Sequence, residues 1–232
     1  MGQEVILLDI DGVLNEAQQP ITLCMQQKLQ TISRHRDVYF VTGNSYIKSV
    51  DILNGPISMY AGVFCNNADE LRTMRGKLIW QDAETPELPQ MQMVICSYLS
   101  GQQNNSVEWR TPRMVNVSRI GRFASKDQRK SEKAEWRDQF INLMHASYKG
   151  IECAKGGVVS VDIYSKGADK SRAAKWVNNT GRDFIFIGDK TDDGGNDACV
   201  KKYCETHTKN ICLKSNGPSH TMDLLDELIR SV

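Results

Sequence analysis

An α/β core built on a parallel sheet and interrupted by an α+β insertion is the fold class that the 232 residues predict, and three observations carry it. Over residues 1–82, apolar runs of strand length alternate with segments whose apolar residues recur at helical spacing, in the order strand, helix, strand, helix, strand. At "DAETPELPQ" (82–90) the character changes, and Pro86 and Pro89 mark a linker. From residue 166 the α/β alternation resumes. The predicted organisation is therefore a discontinuous core, 1–82 with 166–232, and an inserted domain at 83–165.

Each element has its own reason. Val5–Leu8 is an unbroken apolar run, as expected of a strand buried on both faces. "ITLCMQQKLQTISRH" (21–35) places Leu23, Met25, Leu29 and Ile32 at helical spacing. "DVYFVTGNS" (37–45) is a strand ending in a small polar turn, and "SYIKSVDILNG" (45–55) is a helix closed by Gly55. "MYAGVFCNNADEL" (59–71) supplies a third strand, and "ELRTMRGKLIWQ" (70–81) a hairpin turning at Arg75-Gly76. In the insertion, 91–101 reads as a helix and "SVEWRTPRMVNVSRIGR" (106–122) as a strand pair. "SKDQRKSEKAEWRDQFINLMHASY" (125–148) reads as one long charged helix with apolar Trp136, Phe140 and Leu143, and "VVSVDIY" (158–164) alternates like a strand. After it come a helix over 166–181, a strand running into the acidic, glycine-rich loop of "DFIFIGDKTDDGGND" (183–197), a short strand at 209–214 and a C-terminal helix at 219–232.

Composition excludes several classes. Lys+Arg total 29 against 28 Asp+Glu, a formal charge of +1 that does not mark a generic polyanion binder. The four tryptophans, Trp80, Trp109, Trp136 and Trp176, are scattered and read as packing residues, not as a stacking platform for nucleic acid. No apolar run reaches the roughly 20 residues of a membrane helix, and the N-terminal "MGQEVILLDIDG" lacks the features of a secretory signal. Seven cysteines, odd in number and without a CxxC pair, fit reduced thiols and a cytoplasmic setting. Cys199, Cys204, His207 and Cys212 match no common zinc spacing.

The chemistry is expected where strands end. In open parallel sheets, ligands sit beyond the carboxyl ends of the strands. Asp9 and Asp11 follow the first strand, Thr42-Gly43 the second, and Asp189 a late one. An aspartate pair after a strand is also ordinary turn chemistry. Several carboxylates converging on one place, however, repel each other unless a hard divalent cation such as Mg²⁺ neutralises them. Beside such a cation one carboxylate can attack phosphorus, and the second can carry protons to and from the leaving or entering oxygen. Lys170 can offset the remaining charge.

These residues carry a resemblance. "DIDGV" resembles the nucleophile motif of the haloacid dehalogenase superfamily, "VTGNS" its hydroxyl-bearing motif, Lys170 its lysine motif, and "GDKTDDGGND" its acidic motif, in that order. An insertion between the second motif and the lysine is similar to the superfamily's larger α+β (type C2B) cap on a Rossmann-like core. "EWRTPRMVNVSRIGRFASKDQR" further resembles the sugar-phosphate segment of eukaryotic-type phosphomannomutases, and "GGVVSVDIYSKGADK", "GDKTDDGGND" and "VFCNNA" resemble three more of their motifs.

The resemblance implies Asp9 as nucleophile and Asp11 as general acid/base. It implies Mg²⁺ held by Asp9, the Asp11 carbonyl and Asp189 with Asp197 in support, and the transferring phosphate held by Thr42 and Lys170. Arg110, Arg122 and Arg129 would hold the distal phosphate of a sugar, and Ser160 and Asp162 its hydroxyls. The implied activity interconverts mannose 6-phosphate and mannose 1-phosphate, with a hexose 1,6-bisphosphate as activator and a homodimer formed through the cap. Independently, arginine's planar fork suits phosphate oxygens, and Ser160 and Asp162 alternate onto one strand face. Departures leave a sugar-phosphate phosphatase open as the alternative. Gln18 stands where the family has an arginine, Val13 replaces a threonine, Arg119 a proline, and Tyr203 falls where an aspartate is expected. One extra residue between Arg110 and Met114 lets Arg113 stand in for Arg110. A binding protein with a decayed site is a third reading, against which Asp9, Asp11, Lys170 and Asp189 all argue.

Overall fold

The structure is a computed structural model that describes residues 4–16, 19–54, 57–88, 95, 98, 106–121, 124–131, 135–156 and 159–231. In chain order the elements are β1 (Val5–Leu8), α1 (Leu23–Ile32), β2 (Val38–Val41), α2 (Tyr46–Leu53), β3 (Gly62–Cys65), β4 (Glu70–Arg72) and β5 (Leu78–Gln81). Then follow β6 (Ser106–Thr111), β7 (Met114–Ser118), α3 (Lys126–Ser131), α4 (Glu135–Ser147), β8 (Ile151–Gly156) and β9 (Ser160–Ser165). The chain closes with α5 (Ser171–Asn179), β10 (Phe184–Gly188), α6 (Ala198–Thr206), β11 (Ile211–Lys214) and α7 (Pro218–Arg230). Two compact units result, Met1–Asp82 with Asp169–Val232, and Ala83–Ala168.

The first unit is a seven-stranded sheet in the order β11-β10-β1-β2-β3-β4-β5. Its first five strands are parallel, and β4 and β5 form an antiparallel hairpin at the edge. Successive side chains of a strand point to opposite faces, so a strand covered on both sides must be apolar throughout. In β1, Ile6 and Leu8 join one core with Met25, Leu29 and Ile32 of α1 and Leu225 of α7. Val5 and Leu7 join the opposite core with Ala173, Ala174 and Val177 of α5 and Val200 of α6. Each fully buried Val, Leu, Ile or Met side chain among them contributes roughly 1.5–3 kcal/mol. The hairpin turns as its sequence predicts, with Gly76 at φ +87° and its N–H donated to Thr73 O at 2.9 Å.

The second unit is a four-stranded antiparallel sheet, β6-β7-β9-β8. Trp136, Phe140 and Met144 of α4 pack on Val115, Val117, Val161 and Ile163 of that sheet. Trp109, expected to pack, is instead 39% exposed, because β6 is an edge strand. The single long helix expected over 125–148 appears as α3 and α4, with 132–134 outside the described residues. The helix expected over 91–101 lies outside them too, except Ile95 and Tyr98, which join the core under α4. Strand β8 was not anticipated. Helix α5 begins at Ser171, later than expected, because Gly167 turns the chain at φ +86° and the Asp169 carboxylate accepts the Ser171 N–H at 2.8 Å. Helix α2 ends at Leu53, while Gly55, its expected stop, lies outside the described residues. No helix among the described residues is long and apolar enough to cross a membrane.

Candidate active site

Strand β1 lies at the centre of the first sheet, with β2 on one side and β10 on the other, and chain order runs outward from it in both directions. That reversal opens a crevice at the carboxyl ends of β1 and β10. Leu8 pairs with Ile187, and the Asp9 N–H donates to Ile187 O at 3.0 Å, so register alone sets Asp9 beside Gly188-Asp189.

Asp9 is 4% exposed. Its Oδ1 accepts the Ile10 N–H at 2.8 Å, and its Oδ2 lies 2.9 Å from Lys170 Nζ. The same ammonium donates to Asp197 Oδ1 at 2.7 Å. Lys170 is only 1% exposed, and its backbone caps α5. Asp197, fully buried at the start of α6, also accepts the Lys190 N–H on Oδ2 at 3.1 Å. A buried lysine between two buried carboxylates keeps its charge. Burial works against the ammonium, but Asp197 and Asp9 outweigh it and hold Lys170 well above the ordinary lysine value. Asp9 shifts up to about 7, first by burial, with Lys170 opposing and the Asp197 and Asp189 charges adding to the rise. Burial raises Asp189 as well.

Carboxylate oxygens of Asp9, Asp189 and Asp197 all lie within 4.8 Å of one another. Asp189 Oδ1 is buried without a hydrogen-bond partner. Three clustered carboxylates, one of them with an unmatched buried oxygen, form a donor set that fits a hard divalent cation. Asp11 is not in that set. Its Oδ2 accepts from Asn44 Nδ2 at 2.6 Å, which leaves it half-buried beside the cluster. Gly12 between them has φ +83°, and a Cβ there would stand 2.6 Å from Asp189 Oδ2. The aspartate-rich turn can approach Asp189 only because this position has no side chain.

Thr42 follows β2 and is 1% exposed. Its Oγ1 accepts the Asn44 N–H at 3.1 Å, and its carbonyl accepts the Asn67 N–H at 3.0 Å. Asn44 is the residue that sequence reasoning missed, although it stands inside the quoted "VTGNS". The structure thus brings Asp9, Lys170, Asp189 and Asp197 into direct contact range and joins Asp11 to the Thr42 turn through Asn44.

In the inserted unit, β9 alternates as expected, with Ser160 and Asp162 on its more exposed face and Val161 and Ile163 buried. Asn116 on β7 pairs with Asp162 and donates Nδ2 to its Oδ1 at 2.6 Å. Arg110 Nη1 lies 3.8 Å from the same oxygen. Arg113, in the β6–β7 loop, donates its Nε to Thr85 O at 2.6 Å. Arg129 lies on α3 with Nε donating to Ala124 O at 3.1 Å. Arg122 and Gln18 lie outside the described residues.

Comparison with known proteins bears on this arrangement. A phosphomannomutase of Encephalitozoon cuniculi is 22% identical, covering 98% of this chain and 94% of the relative. Phosphomannomutase 1 of Mus musculus is 28% identical over 82% of this chain and 80% of its own length. Among solved structures, a haloacid dehalogenase-like hydrolase from B. subtilis superposes with a TM-score of 0.68 at 12% identity, covering 97% of this chain and 99% of that one. The likeness at that identity is one of fold, a Rossmann-like core with an insertion. The family model described as eukaryotic phosphomannomutase matches residues 25–231, nearly the whole chain, and the chain belongs to that family.

Proposed function

We propose that the protein is a Mg²⁺-dependent phosphomannomutase that interconverts mannose 6-phosphate and mannose 1-phosphate through an aspartyl-phosphate on Asp9. The observation that carries this reading is the buried Lys170 ammonium, 2.9 Å from Asp9 and 2.7 Å from Asp197, with Asp189 close by. Such a site neutralises a nucleophilic carboxylate and an incoming phosphate together. When bound, Mg²⁺ supplies further charge neutralisation, held by Asp9, Asp189 and the Asp11 main-chain carbonyl with Asp197 in support.

The cycle follows from the groups. An Asp9 oxygen attacks phosphorus of a hexose 1,6-bisphosphate, and the bond to the sugar oxygen breaks. Asp11 gives a proton to that oxygen, then takes one from the hydroxyl that next attacks the phospho-aspartate. Thr42 and Lys170 hold the transferring phosphoryl group. Arg110, Arg122 and Arg129 hold the other phosphate, for which the guanidinium fork is suited. Ser160 and Asp162 bind sugar hydroxyls, and the Asn116 amide fixes the Asp162 carboxylate for that task. Assembly as a homodimer through the inserted domain belongs to the same reading, and light scattering tests it.

The rival is a sugar-phosphate phosphatase, in which water completes the cycle, and Gln18 in place of the family's arginine is the feature that favours it. Phosphorus NMR separates the two. Purified protein with Mg²⁺ and mannose 1-phosphate, with and without hexose 1,6-bisphosphate, is followed for mannose 6-phosphate and free phosphate together. Isomer with little free phosphate is the expected result. Free phosphate without isomer overturns the mutase in favour of the phosphatase.

A further inference from the structure

Arg172 is 5% exposed and takes no part in the chemistry above. Its Nη1 donates to Asp69 Oδ1 at 3.0 Å and to Asp82 Oδ2 at 2.7 Å. Its Nη2 donates to Asn67 O at 2.7 Å, and its Nε to Asp169 O at 3.4 Å. Asp69 and Asp82 are themselves 1% and 5% exposed. Buried ion pairs of this kind carry a desolvation cost, so their presence calls for a reason beyond stability.

The partners supply one. Asn66, Asn67 and Ala68 have φ of 52°, 56° and 59°, three consecutive non-glycine residues in the left-handed region. A residue with a Cβ is strained in this region, so the turn persists only if neighbours hold it. Its N–H groups bond to the loop after β2, Asn66 to Asn44 O at 2.9 Å and Asn67 to Thr42 O at 3.0 Å. The Arg172 guanidinium holds it from the other side, through the Asn67 carbonyl. Two residues before Arg172 stands Lys170, whose ammonium meets Asp9. Asp82 is the last residue before the insertion and Asp169 the first after it.

We propose that Arg172 is a positioning residue for the phosphoryl-transfer centre. One planar fork sets the start of α5, and with it Lys170, in register with the strained Asn66–Ala68 turn, which itself holds the loop of Thr42 and Asn44. The same fork fixes both points at which the chain leaves and re-enters the first unit. Asn44 passes the constraint on to Asp11 through its 2.6 Å bond. Lysine cannot replace this fork, because one ammonium does not span two carboxylates and a carbonyl in these directions.

The inference rests on the phosphoryl-transfer reading, and its test keeps the two apart. Two variants are made: Arg172→Lys, and the triple Arg172→Met, Asp69→Asn, Asp82→Asn, which removes the buried charges together so that no carboxylate is left uncompensated. Melting temperature, kcat and KM for the sugar phosphate, and a crystal structure are read for each. The expected result is a melting temperature near wild type in the triple variant and a fall of about tenfold or more in kcat in both variants, with KM little changed, as small displacements of reacting groups cost rate. A folded variant with wild-type kcat overturns the inference. If the wild-type protein turns over no sugar phosphate, the function reading fails. The inference is then decided by the variant structures, in which an unmoved Asn66–Ala68 turn and an unmoved Lys170–Asp9 contact overturn it.

Discussion

Substituting Gly12 by alanine perturbs the site through geometry alone, and its size can be worked from the structure. Gly12 has φ +83°, and an added Cβ would stand 2.6 Å from Asp189 Oδ2 and 3.2 Å from its Cγ, where ordinary contact begins at 3.4 Å. The carboxylate must therefore retreat by most of an ångström. Metal ligands tolerate shifts of only about 0.2 Å. The backbone adds about 1–2 kcal/mol of left-handed strain for a residue with a Cβ. Gly181 is the control, since it has φ +77° but nothing within 4 Å of an added Cβ. Gly181→Ala carries the strain without the clash. Gly181→Ala should lose about 1–2 kcal/mol in urea unfolding, and Gly12→Ala at least as much. Only Gly12→Ala should weaken Mg²⁺ binding, by the ~10–100-fold typical when a ligand loses its support. Isothermal titration with Mg²⁺ on the folded proteins reads the difference. Equal Mg²⁺ affinity in the two variants and the wild type would refute the assignment of Asp189 to the cation.

Asn44→Ala should leave the fold within about 1 kcal/mol of wild type, the ordinary worth of a hydrogen bond. It should also lower kcat by about 10–100-fold at little-changed KM, because Asp11 loses the 2.6 Å bond that aims it as a general acid/base worth about 10²–10⁴. Steady-state kinetics with circular dichroism decides it, and an unaffected kcat removes Asn44 from the site. Lys170→Met leaves Asp9 and Asp197 buried together without their cation, which should cost about 3–5 kcal/mol in metal-free unfolding. A stability equal to wild type would show that the ammonium does not hold these carboxylates. Asp9→Asn should abolish turnover while leaving the metal-free protein as stable or more so, since it removes one of three crowded acids. Retained turnover in that variant assigns the nucleophile elsewhere.

How much of this was legible depends on where each signal lies along the chain. β1 and β10 were legible because strands buried on both faces leave continuous apolar runs, Val5–Leu8 and Phe184–Gly188. The 70–81 hairpin was legible from Gly76, whose φ demands a residue without a side chain. β8 was not, because "IECAKG" sets Ile151 and Cys153 among weak neighbours and directly follows a helix, so its alternation is short and faint. Lys170 is read from its place in the order of motifs, and α5 starts later than its sequence pattern suggests because the Gly167 turn interrupts an otherwise helical run.

The site divides in the same way. Asp9, Asp11, Thr42, Lys170 and Asp189 stand at strand ends or a helix start, positions that secondary structure alone brings to one edge of the sheet. Arg172 belongs to a different class. Its carboxylate partners lie 103 and 90 residues away in sequence and become neighbours only when the chain returns from the insertion. Read alone, Asp69 falls in the segment expected to supply the third strand, and Asp82 opens the linker. Periodicity reports what one element buries, and it carries no trace of a contact between elements far apart in the chain. The candidate residues at the strand ends could therefore be read from the sequence, while the guanidinium that holds their loops in register could be found only in the folded chain.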